Sequence, residues 1–444
     1  MVRLADLGRE IYGCGVKILA HTDAGYADFV KTLSRRAIPS VQERDYVGQI
    51  IAEVDRDGDA ALVKFARDFD KAEIKPDQLR VSDQEIQAAR EAASDETKAA
   101  IAASKKNIVQ FAEASMRQNW QTTNDQGVEM GERFDPFQRV GIYIPGGKAP
   151  LVSTALMTGA FASAAKVPEI VAMTPPGPNG EINADLLYAL SEAGATEIYR
   201  AGGAQAIAAL AFGTETIKPV DKIFGPGNRF VVEAKRQVVG AVSIDLLPGP
   251  SEVLVMADES GDAEFLAADL LAQAEHGPDS VCGFLTTSET LLNAVEAEIE
   301  KQLADLPRAD IAKKSLSEAG FSLLVTNLEE AIEICNAWAP EHLVLAVKDE
   351  DAVLPKIVTA GAIYVGNFSA VAVGDFLAGP SHTLPTGGAG RSFSGLRADQ
   401  FQRRTSVVRM DQKALQASQK IVEHYAEMEG LAGHGRSVSL RGNR

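Results

Sequence analysis

The hydrophobic and polar positions divide the chain into a helix-rich N-terminal part and a longer part with a different rhythm. Residues 45–69 and 82–115 carry charged faces and apolar residues at helical spacing, so both stretches are predicted to be helical. The polar stretch 124–131 is typical of a turn, and we interpret it as a boundary between the two parts.

From residue 139 onward, short β-rich runs alternate with helical segments such as 183–193. The runs lie at 140–144, 169–173, 197–199, 222–224 and 242–244, and a second series lies at 253–255, 283–285, 323–325 and 362–365. This alternation is typical of parallel sheets covered by helices on both faces. The pattern therefore predicts two α/β domains.

The ends of this pattern carry two further predictions. The long apolar stretch 150–173 is interrupted by Lys166, Pro168 and Glu169, so it is interpreted as a buried helix followed by a strand and not as a membrane span. After residue 395 the strand signals stop. Residues 422–428 are predicted to form a terminal helix followed by an extended tail, which must dock on its own domain or on a partner subunit.

Composition and charge exclude several classes of protein. The 444-residue chain is 45% hydrophobic and has a net charge of −17, which disfavours nucleic acid as a partner because phosphates would be repelled. Cys14, Cys282 and Cys335 are odd in number and far apart, which favours a reducing compartment. The first ten residues carry charges where a signal peptide needs an apolar run. We therefore expect a soluble cytoplasmic protein with no membrane partner.

Four of the six histidines lie beside Gln, Asp or Glu, or in a loop that holds an acid. Gln273 and His276 share a face at the end of a helix that is predicted to begin after Asp262 and to end by Gly277. That pair fits either a solvated helix end or a pair of metal ligands completed by stronger ligands from elsewhere. Histidine is suited both to metal binding and to proton transfer, so the sequence predicts one site built from scattered histidines.

Glu341 and His342 lie where a loop enters a predicted strand. A neighbouring carboxylate raises the basicity of a histidine, which suits a general base, although a surface acid beside a half-buried imidazole fits the pattern equally. Asp375 and His382 lie in a long glycine- and proline-rich loop, where Asp is either a metal ligand or a turn-former.

Glycine-rich loops follow several predicted strands, at 145–147, 202–205 and 225–228. Each precedes a helix and could offer backbone N–H groups to a phosphate. None matches G-x-G-x-x-G, so these loops alone give a weak indication of nucleotide binding.

Taken together, these segments resemble the histidinol dehydrogenase family. Ten motifs carry the resemblance in order: Gly-Ile-Tyr-Ile-Pro-Gly-Gly at 141–147, Gly-Gly-Ala-Gln-Ala-Ile-Ala-Ala-Leu at 202–210, Phe-Gly-Pro-Gly-Asn at 224–228, Ala-Lys-Arg at 234–236, Gly-Pro-Ser-Glu at 249–252, Gln-Ala-Glu-His at 273–276, Ala-Pro-Glu-His-Leu at 339–343, Gly-Asp at 374–375, His-Thr-Leu-Pro-Thr at 382–386 and Glu-Gly-Leu at 429–431. The N-terminal region matches more loosely, through Phe69-Asp70 among others.

The resemblance implies a zinc- and NAD-dependent homodimer that oxidises L-histidinol to L-histidine in two steps through an aldehyde. Carried over motif by motif, Glu341 and His342 look like the acid–base pair. The other implied roles are zinc ligands at Gln273, His276, Asp375 and His434, substrate contacts at those four residues and at Ser251, His342, His382 and Glu429, and dinucleotide contacts at Tyr143, Gln205 and Asn228. His434 is expected to come from the other subunit, since the C-terminal segment of the family is exchanged between protomers.

The resemblance also implies an arrangement of domains. We expect two Rossmann-like parallel-sheet domains with short helical segments at both ends. Residues 1–35 would form the N-terminal segment, 36–142 with 253–396 the first domain, 143–252 the NAD-binding domain, and 397–444 the dimerisation segment.

Two alternatives stay open at this point. Many family members carry Pro-Glu shortly before Gly-Asp, whereas residues 369–374 contain no carboxylate. Some relatives oxidise another polar alcohol, such as 2,3-dihydroxypropane-1-sulfonate. The Gly-Pro-Ser-Glu motif of the histidinol dehydrogenase family is intact here at residues 249–252, and this favours histidinol as the substrate. The second alternative is a non-catalytic metal- or nucleotide-binding protein, which retention of both Glu341-His342 and the proposed zinc ligands disfavours.

Overall fold

A computed structural model of the chain describes residues 15–34, 39–146 and 150–442, together with the backbone of Arg9–Glu10. The strands are β1 (Arg9–Glu10), β2 (Lys17–Ala20), β3 (Trp120–Thr123), β4 (Glu129–Pro136), β5 (Arg139–Tyr143), β6 (Glu169–Thr174), β7 (Glu197–Arg200), β8 (Lys222–Phe224), β9 (Ser243–Ile244), β10 (Glu252–Ala257), β11 (Val281–Thr286), β12 (Phe321–Leu324), β13 (His342–Ala346), β14 (Ala362–Val365) and β15 (Gln402–Arg409). The helices are α1 (Tyr26–Leu33), α2 (Val41–Phe65), α3 (Asp83–Ala92), α4 (Asp95–Ser115), α5 (Val152–Ala164), α6 (Ala184–Glu192), α7 (Gly203–Phe212), α8 (Arg229–Gln237), α9 (Ala263–Ala274), α10 (Glu289–Leu303), α11 (Ala309–Ala319), α12 (Leu328–Trp338), α13 (Glu350–Val353), α14 (Val371–Phe376), α15 (Gln412–Met428) and α16 (Ala432–Gly442).

Two parallel sheets dominate the described part of the chain. The five-stranded sheet has the order β7-β6-β5-β8-β9, and the seven-stranded sheet has the order β1-β2-β12-β11-β10-β13-β14. The pair β1–β2 is antiparallel, whereas the other pairs in both sheets are parallel. Each sheet contains five strands that are consecutive in the chain, β5 to β9 in one sheet and β10 to β14 in the other. In both sheets these five lie side by side in the order third, second, first, fourth, fifth. The predicted α/β class with two parallel sheets is confirmed.

Each sheet is buried on both faces because apolar side chains alternate along its strands. In β5 and β6, Val140 and Ile170 face one core, whereas Val171 and Met173 face the other. In β10, Val253 and Val255 face one core and Leu254 and Met256 face the other. Such two-sided burial is typical of parallel sheets covered by helices. The buried helix and strand predicted over 150–173 are confirmed as α5 and β6.

The N-terminal helices begin at serine caps and pack against helices of the five-stranded sheet. Ser40 and Ser82 form capping boxes with Glu43 and Glu85. Helix α2 contacts α7 and α8, α3 contacts α6, and α4 contacts α5. The domain boundaries given above stay a prediction.

Helix α2 changes direction at Gly58, whose backbone lies at φ 54° and ψ −130°. A Cβ atom at this position would lie 2.1 Å from Oε2 of Glu215. That same oxygen accepts a hydrogen bond from the Asp59 N–H at 2.7 Å. Beyond this point the helix continues to Phe65 and passes into the turn of residues 66–70.

A third sheet corrects two predictions. β3, β4 and β15 form an antiparallel sheet of order β15-β4-β3, so the expected absence of strands after residue 395 is wrong. β15 escaped prediction because six of its eight residues are exposed and give no apolar alternation. The expected boundary at 124–131 includes the turn between β3 and β4 and the first residues of β4.

The C-terminal segment also differs from expectation. The terminal helix α15 is longer than predicted, and the extended tail is wrong because residues 432–442 form α16. This glycine- and serine-rich sequence is a weak helix former on its own. Helix α16 packs on α15, and the Ser439 hydroxyl donates to the Glu423 carboxylate.

Two remaining expectations concern membranes and cysteines. In the described ranges, no helix combines the length and apolar character needed to cross a membrane. Cys282 and Cys335 are buried free thiols, and Cys14 lies outside the described residues.

Arg139 joins the starts of three strands in the five-stranded sheet. Its guanidinium donates two hydrogen bonds of 2.9 Å to the Glu197 carboxylate and another to Glu169. The hydrogen bonds from Arg139 outweigh burial and lower the pKa of Glu197 to about 2. Because a depressed pKa stabilises the fold above the unfolded value, this contribution is present near neutral pH and is lost as the pH falls from about 4.5 towards 2.

Glu197→Gln should lower the free energy of unfolding at pH 7 by about 2 kcal/mol, since it weakens a charged hydrogen-bonded pair. Calorimetric melting at pH 7 and pH 3 should show a smaller difference from the parent chain at pH 3. Glu169→Gln is the matched control with a smaller effect, because 51% of the Glu169 side chain is exposed against 19% for Glu197. An equal difference at both pH values would contradict this role for the ion pair.

Candidate active site

A group of acids and histidines lies at the amino edge of the seven-stranded sheet. Glu252 begins β10 and His342 begins the neighbouring strand β13. Helix α9 leaves the opposite edge after its cap Asp262 and returns with Gln273 and His276 at its end. Helix α14 supplies Asp375, whose Oδ1 lies 3.6 Å from Nε2 of His342. Distant parts of the sequence therefore meet at one edge.

His342 is buried, and one of its ring nitrogens contacts a backbone carbonyl. Its Nδ1 lies 2.9 Å from the Glu252 oxygen. Because a carbonyl can only accept, Nδ1 carries a proton, and the other nitrogen of a neutral imidazole then has a free lone pair. No hydrogen bond to Nε2 comes from any residue within the described ranges. Nε2 is therefore the atom available to exchange a proton with a ligand.

Glu341 is buried beside this histidine. Its Oε2 accepts the Glu252 N–H at 2.7 Å and lies 3.6 Å from Nδ1 of His342. Burial raises the pKa of Glu341, and the charge of His342 offsets this only in part. Burial lowers the pKa of His342, but the charges of Glu341 and Asp375 outweigh it and raise that pKa. The two groups are therefore both basic for their type.

Glu252 organises this pair although the sequence did not single it out as a site residue. Its N–H and C=O hold Glu341 and His342, and its Oε1 accepts the Gly387 N–H at 2.8 Å. The Gly-Pro-Ser-Glu motif at 249–252 was the available signal. Backbone contacts leave no mark in a side-chain pattern, so this role was not predicted.

Asp375 and His382 connect the edge with the loop of residues 377–388. Nδ1 of His382 lies 3.1 Å from the Asp375 carbonyl oxygen, and its Nε2 lies 3.2 Å from Thr154 Oγ1 in α5. Burial alone would raise the pKa of Asp375, but the His342, His382 and His276 charges lower it. Asp375 is therefore held as a carboxylate. Thr154 had no sequence signal as a partner of this loop.

Gln273 and His276 form a contact that suits metal binding. Nε2 of Gln273 lies 3.2 Å from Nδ1 of His276, while the buried Oε1 of Gln273 meets no hydrogen-bond donor among the described residues. Burial lowers the pKa of His276, against the charge of Asp375, and so favours the neutral imidazole that binds metals. Within the described ranges, no group of three or more His, Cys, Asp and Glu side chains is placed to hold an ion.

The other predicted substrate and metal residues are placed differently. Ser251 precedes Glu252 at the same edge, and its carbonyl accepts the Val281 N–H at 3.0 Å. Glu429 and His434 are exposed on the C-terminal helical segment. Across the described ranges, neither makes a hydrogen bond to the group at the sheet edge.

Tyr143, Gln205 and Asn228 lie at the carboxyl edge of the five-stranded sheet. Each follows or ends one of the strands β5, β7 and β8. In the order β7-β6-β5-β8-β9, β5 and β8 flank the position where the winding reverses, which is where such sheets bind dinucleotides. Of the loop predicted at 145–147, Gly147 lies outside the described residues.

Local contacts fix these three residues. The Tyr143 hydroxyl accepts the Gly203 N–H at 3.0 Å. Gln205 is 2% exposed, and no described residue bonds to its Oε1. Asn228 caps α8, and its Oδ1 accepts the N–H groups of Phe230 and Val231.

A buried ion pair holds the loop after β8. Lys235 and Asp245, both fully buried, are hydrogen-bonded to each other. Lys235 donates to the Gly225 carbonyl at 2.8 Å, and Asp245 accepts the Gly225 N–H at 2.8 Å. Gly225 is at φ 112°, and a Cβ there would lie 2.2 Å from the Tyr143 carbonyl oxygen. A side chain at position 225 would therefore clash with β5, and glycine lets the loop approach the strand this closely.

The two edges meet through the 377–388 loop. Beyond the contact of His382 with Thr154, Ser381 donates to the Met157 carbonyl at 3.2 Å, and Thr386 accepts the Gly249 N–H. Both Thr154 and Met157 belong to α5, which follows β5. The amino edge of one sheet is thus joined to elements that leave the carboxyl edge of the other.

The chain is similar to known proteins over most of its length. The family described as histidinol dehydrogenase matches residues 33–442. The chain is 42% identical over 427 residues to histidinol dehydrogenase of Syntrophotalea carbinolica, covering 96% of this chain and 99% of the relative. It is 44% identical over 395 residues to histidinol dehydrogenase 2 of Trichormus variabilis, covering 89% and 91% of the two chains.

Solved structures give the same result. The crystal structure of histidinol dehydrogenase from Elizabethkingia anophelis superposes with a TM-score of 0.91 at 38% identity, covering 97% of this chain and 99% of that chain. An acetylating aldehyde dehydrogenase from Geobacillus thermoglucosidasius has a TM-score of 0.50 at 16% identity over 86% of this chain and 94% of that chain, which is a likeness of fold alone. This chain, an NAD-dependent oxidoreductase, belongs to the histidinol dehydrogenase family.

Proposed function

We propose that this protein oxidises L-histidinol to L-histidine through L-histidinaldehyde, with transfer of two hydrides to two molecules of NAD. The family membership supports the substrate. The observation that carries the chemistry is the buried His342 ring, whose Nδ1 lies 3.6 Å from Glu341 Oε2 and whose Nε2 lies 3.6 Å from Asp375 Oδ1, at an edge joined to the dinucleotide-type edge. A base at that place can take the hydroxyl proton while a hydride leaves the carbon that bears this hydroxyl.

His342 acts in the first oxidation. Its Nε2 accepts the hydroxyl proton as the carbinol hydride passes to the nicotinamide, giving the aldehyde, NADH and an imidazolium. The Glu252 carbonyl accepts the Nδ1 proton and stabilises that cation. The backbone contact also keeps the ring in the tautomer that presents a lone pair to the substrate.

Glu341 acts between the two oxidations. Its carboxylate takes a proton from water as the water oxygen adds to the aldehyde carbon, giving a hydrate. The hydrate then loses a second hydride to NAD and a hydroxyl proton to Nε2 of His342, which has by then released its first proton to solvent, and this yields the acid. Burial suits this role because it raises the basicity of the carboxylate.

Zinc is the metal that the family implies. Gln273, His276 and Asp375 would hold it, and His434 would complete the set from a second copy of the chain. The buried Oε1 of Gln273, which has no hydrogen-bond donor among the described residues, and the interaction of the Asp375 charge with His276 support this assignment. When bound, the ion orients the substrate through its imidazole and amino nitrogens.

The remaining contacts follow the same division between the two edges. Tyr143, Gln205 and Asn228 would bind the dinucleotide. Ser251, His382 and Glu429 would contact the substrate, and His382 would exchange its Thr154 contact for the ligand.

A homodimer with an exchanged C-terminal segment fits the surface of α15 and α16. Tyr425, Met428 and Leu440 on these two helices are large apolar side chains that are 57%, 60% and 59% exposed. Glu429 and His434 lie on the same segment. In such a dimer, a second copy of the chain would cover these apolar side chains. Glu429 and His434 of one chain would then lie at the sheet edge of the other.

The substrate is tested by following NAD reduction with L-histidinol and with 2,3-dihydroxypropane-1-sulfonate, each with and without a chelator. Turnover of L-histidinol that stops with the chelator and returns with Zn²⁺ supports the proposal. Absence of histidinol turnover with zinc present, or preference for the sulfonate, would sink it.

Glu341→Gln and His342→Gln should affect the two oxidations differently. In a single turnover, Glu341→Gln should form about one NADH per site and then stall, because aldehyde hydration loses its base, whereas His342→Gln should slow both hydride transfers by about 10²–10⁴-fold. Stopped-flow absorbance at the NADH band measures both amplitudes and rates. Two NADH per site at the parental rate in Glu341→Gln would contradict the assigned role.

Subunit complementation tests where His434 acts. Neither His276→Ala nor His434→Ala should bind zinc fully alone, whereas a mixed dimer of the two variants should regain one intact site, up to half of the parental activity and zinc content. Purification with two different tags isolates the mixed dimer, and metal analysis follows occupancy. Full zinc content in His434→Ala, or no recovery in the mixed dimer, would contradict a shared site.

A further inference from the structure

Asp70, a partly buried acid near the carboxyl edge of the five-stranded sheet, has no role in the chemistry above. Helix α2, redirected at Gly58, passes into a π-helical turn over Ala66–Asp70. Lys71 ends this turn in the left-handed conformation, at φ 60°. π-helical turns are frequent at functional sites, and a non-glycine residue in this conformation is uncommon. The position of Asp70 is therefore set by two unusual backbone features, the π-helical turn and the left-handed residue that follows it.

The Asp70 carboxylate has an unused oxygen beside the dinucleotide candidates. No residue in the described ranges donates a hydrogen bond to its buried Oδ2. Its charge acts on the buried Tyr143 hydroxyl, whose pKa is raised to about 12 mainly by burial. Tyr143 in turn accepts the Gly203 N–H, and a Cβ on Gly203 would lie 2.6 Å from Gln205 Oε1. Asp70 thus belongs to the neighbourhood of Tyr143 and Gln205.

Asp70 stands in for an acid at the end of the second strand of the sheet, since Glu181 in the loop after that strand is exposed and accepts a hydrogen bond from the Asn179 side chain. Dinucleotide-binding sheets commonly place an acid at the end of the second strand, where it binds the ribose hydroxyls. Here the second strand, β6, ends at Thr174 and is followed by prolines and glycines. The segment after Asp70 packs on that same loop, since a Cβ on Gly180 would lie 3.1 Å from Ile74 Cγ2.

The chemistry of the carboxylate selects the group it binds. An unpaired buried carboxylate is costly unless a ligand supplies a donor. Phosphates offer no donor and carry the same charge, whereas ribose hydroxyls donate. We propose that Asp70 accepts a hydrogen bond from a ribose hydroxyl of the dinucleotide and disfavours a ribose that carries a phosphate. This proposal rests on the dehydrogenase function proposed above.

Asp70→Asn is the test, with Asp68→Asn as the matched control from the same helical turn, since Asp68 is exposed. For Asp70→Asn, KM for NAD should rise about tenfold, the value of one charged hydrogen bond of roughly 1.4 kcal/mol. kcat should change less than threefold, and the preference for NAD over NADP in kcat/KM should fall at least tenfold. Asp68→Asn should leave all of these constants as they are.

Melting temperature separates a ligand-binding role from a structural one. Burial raises the pKa of Asp70 to about 6, so the ionised carboxylate destabilises the unliganded fold above that pH. Asp70→Asn should therefore melt higher than the parent at pH 8, by a margin that shrinks below pH 6. A lower melting temperature together with an unchanged NAD to NADP preference would overturn the proposal.

Binding of NADH, followed by its fluorescence, keeps this test apart from the reaction. If the parent chain does not oxidise L-histidinol but Asp70→Asn weakens NADH binding, the proposed reaction fails and the role of Asp70 stands. Equal dissociation constants for the parent chain and Asp70→Asn overturn the role of Asp70 whatever the reaction.

Discussion

The function proposed for this chain depends on joining the amino edge of one parallel sheet to the carboxyl edge of another. A short run of hydrogen bonds does this: His382 contacts Thr154, Ser381 donates to Met157, and Gly249 donates to Thr386. An acid–base pair can assist hydride transfer only when the cofactor is held about 3–3.5 Å from the reacting carbon of the substrate. Each sheet alone supplies half of that arrangement, so the loop of residues 377–388 is as important as the groups that react.

The Glu252 peptide group performs a second task at this junction. One N–H and one C=O fix the position of Glu341 and the tautomer of His342. Backbone groups are rigid in a central strand, so the pair is held before any ligand binds. This preorganisation explains how two buried ionisable groups, each costly by itself, are kept next to one another.

The sequence predicted much of the fold because the two parallel sheets are buried on both faces. The strands 222–224 and 362–365 coincide with the predicted runs, and the cap at Asp262 was correctly placed. β15 and α16 were missed for the opposite reason: their residues are mostly exposed, so tertiary pairing and not local pattern determines them. Residue types and motifs indicated His342 and Asp375. Glu252 acts through its backbone groups, and the role proposed for Asp70 depends on a contact between distant parts of the chain. A linear pattern of residue types records neither feature.

A crystal structure with NAD and L-histidine bound tests the joined-edge arrangement most directly. The account predicts a histidine carboxylate oxygen about 3 Å from Nε2 of His342, the distance of a direct proton transfer. The nicotinamide ring should lie next to the carboxylate carbon of the bound L-histidine. The dinucleotide should reach it from the carboxyl edge of the five-stranded sheet. A dinucleotide bound with its nicotinamide away from His342, or on another edge, would contradict the account.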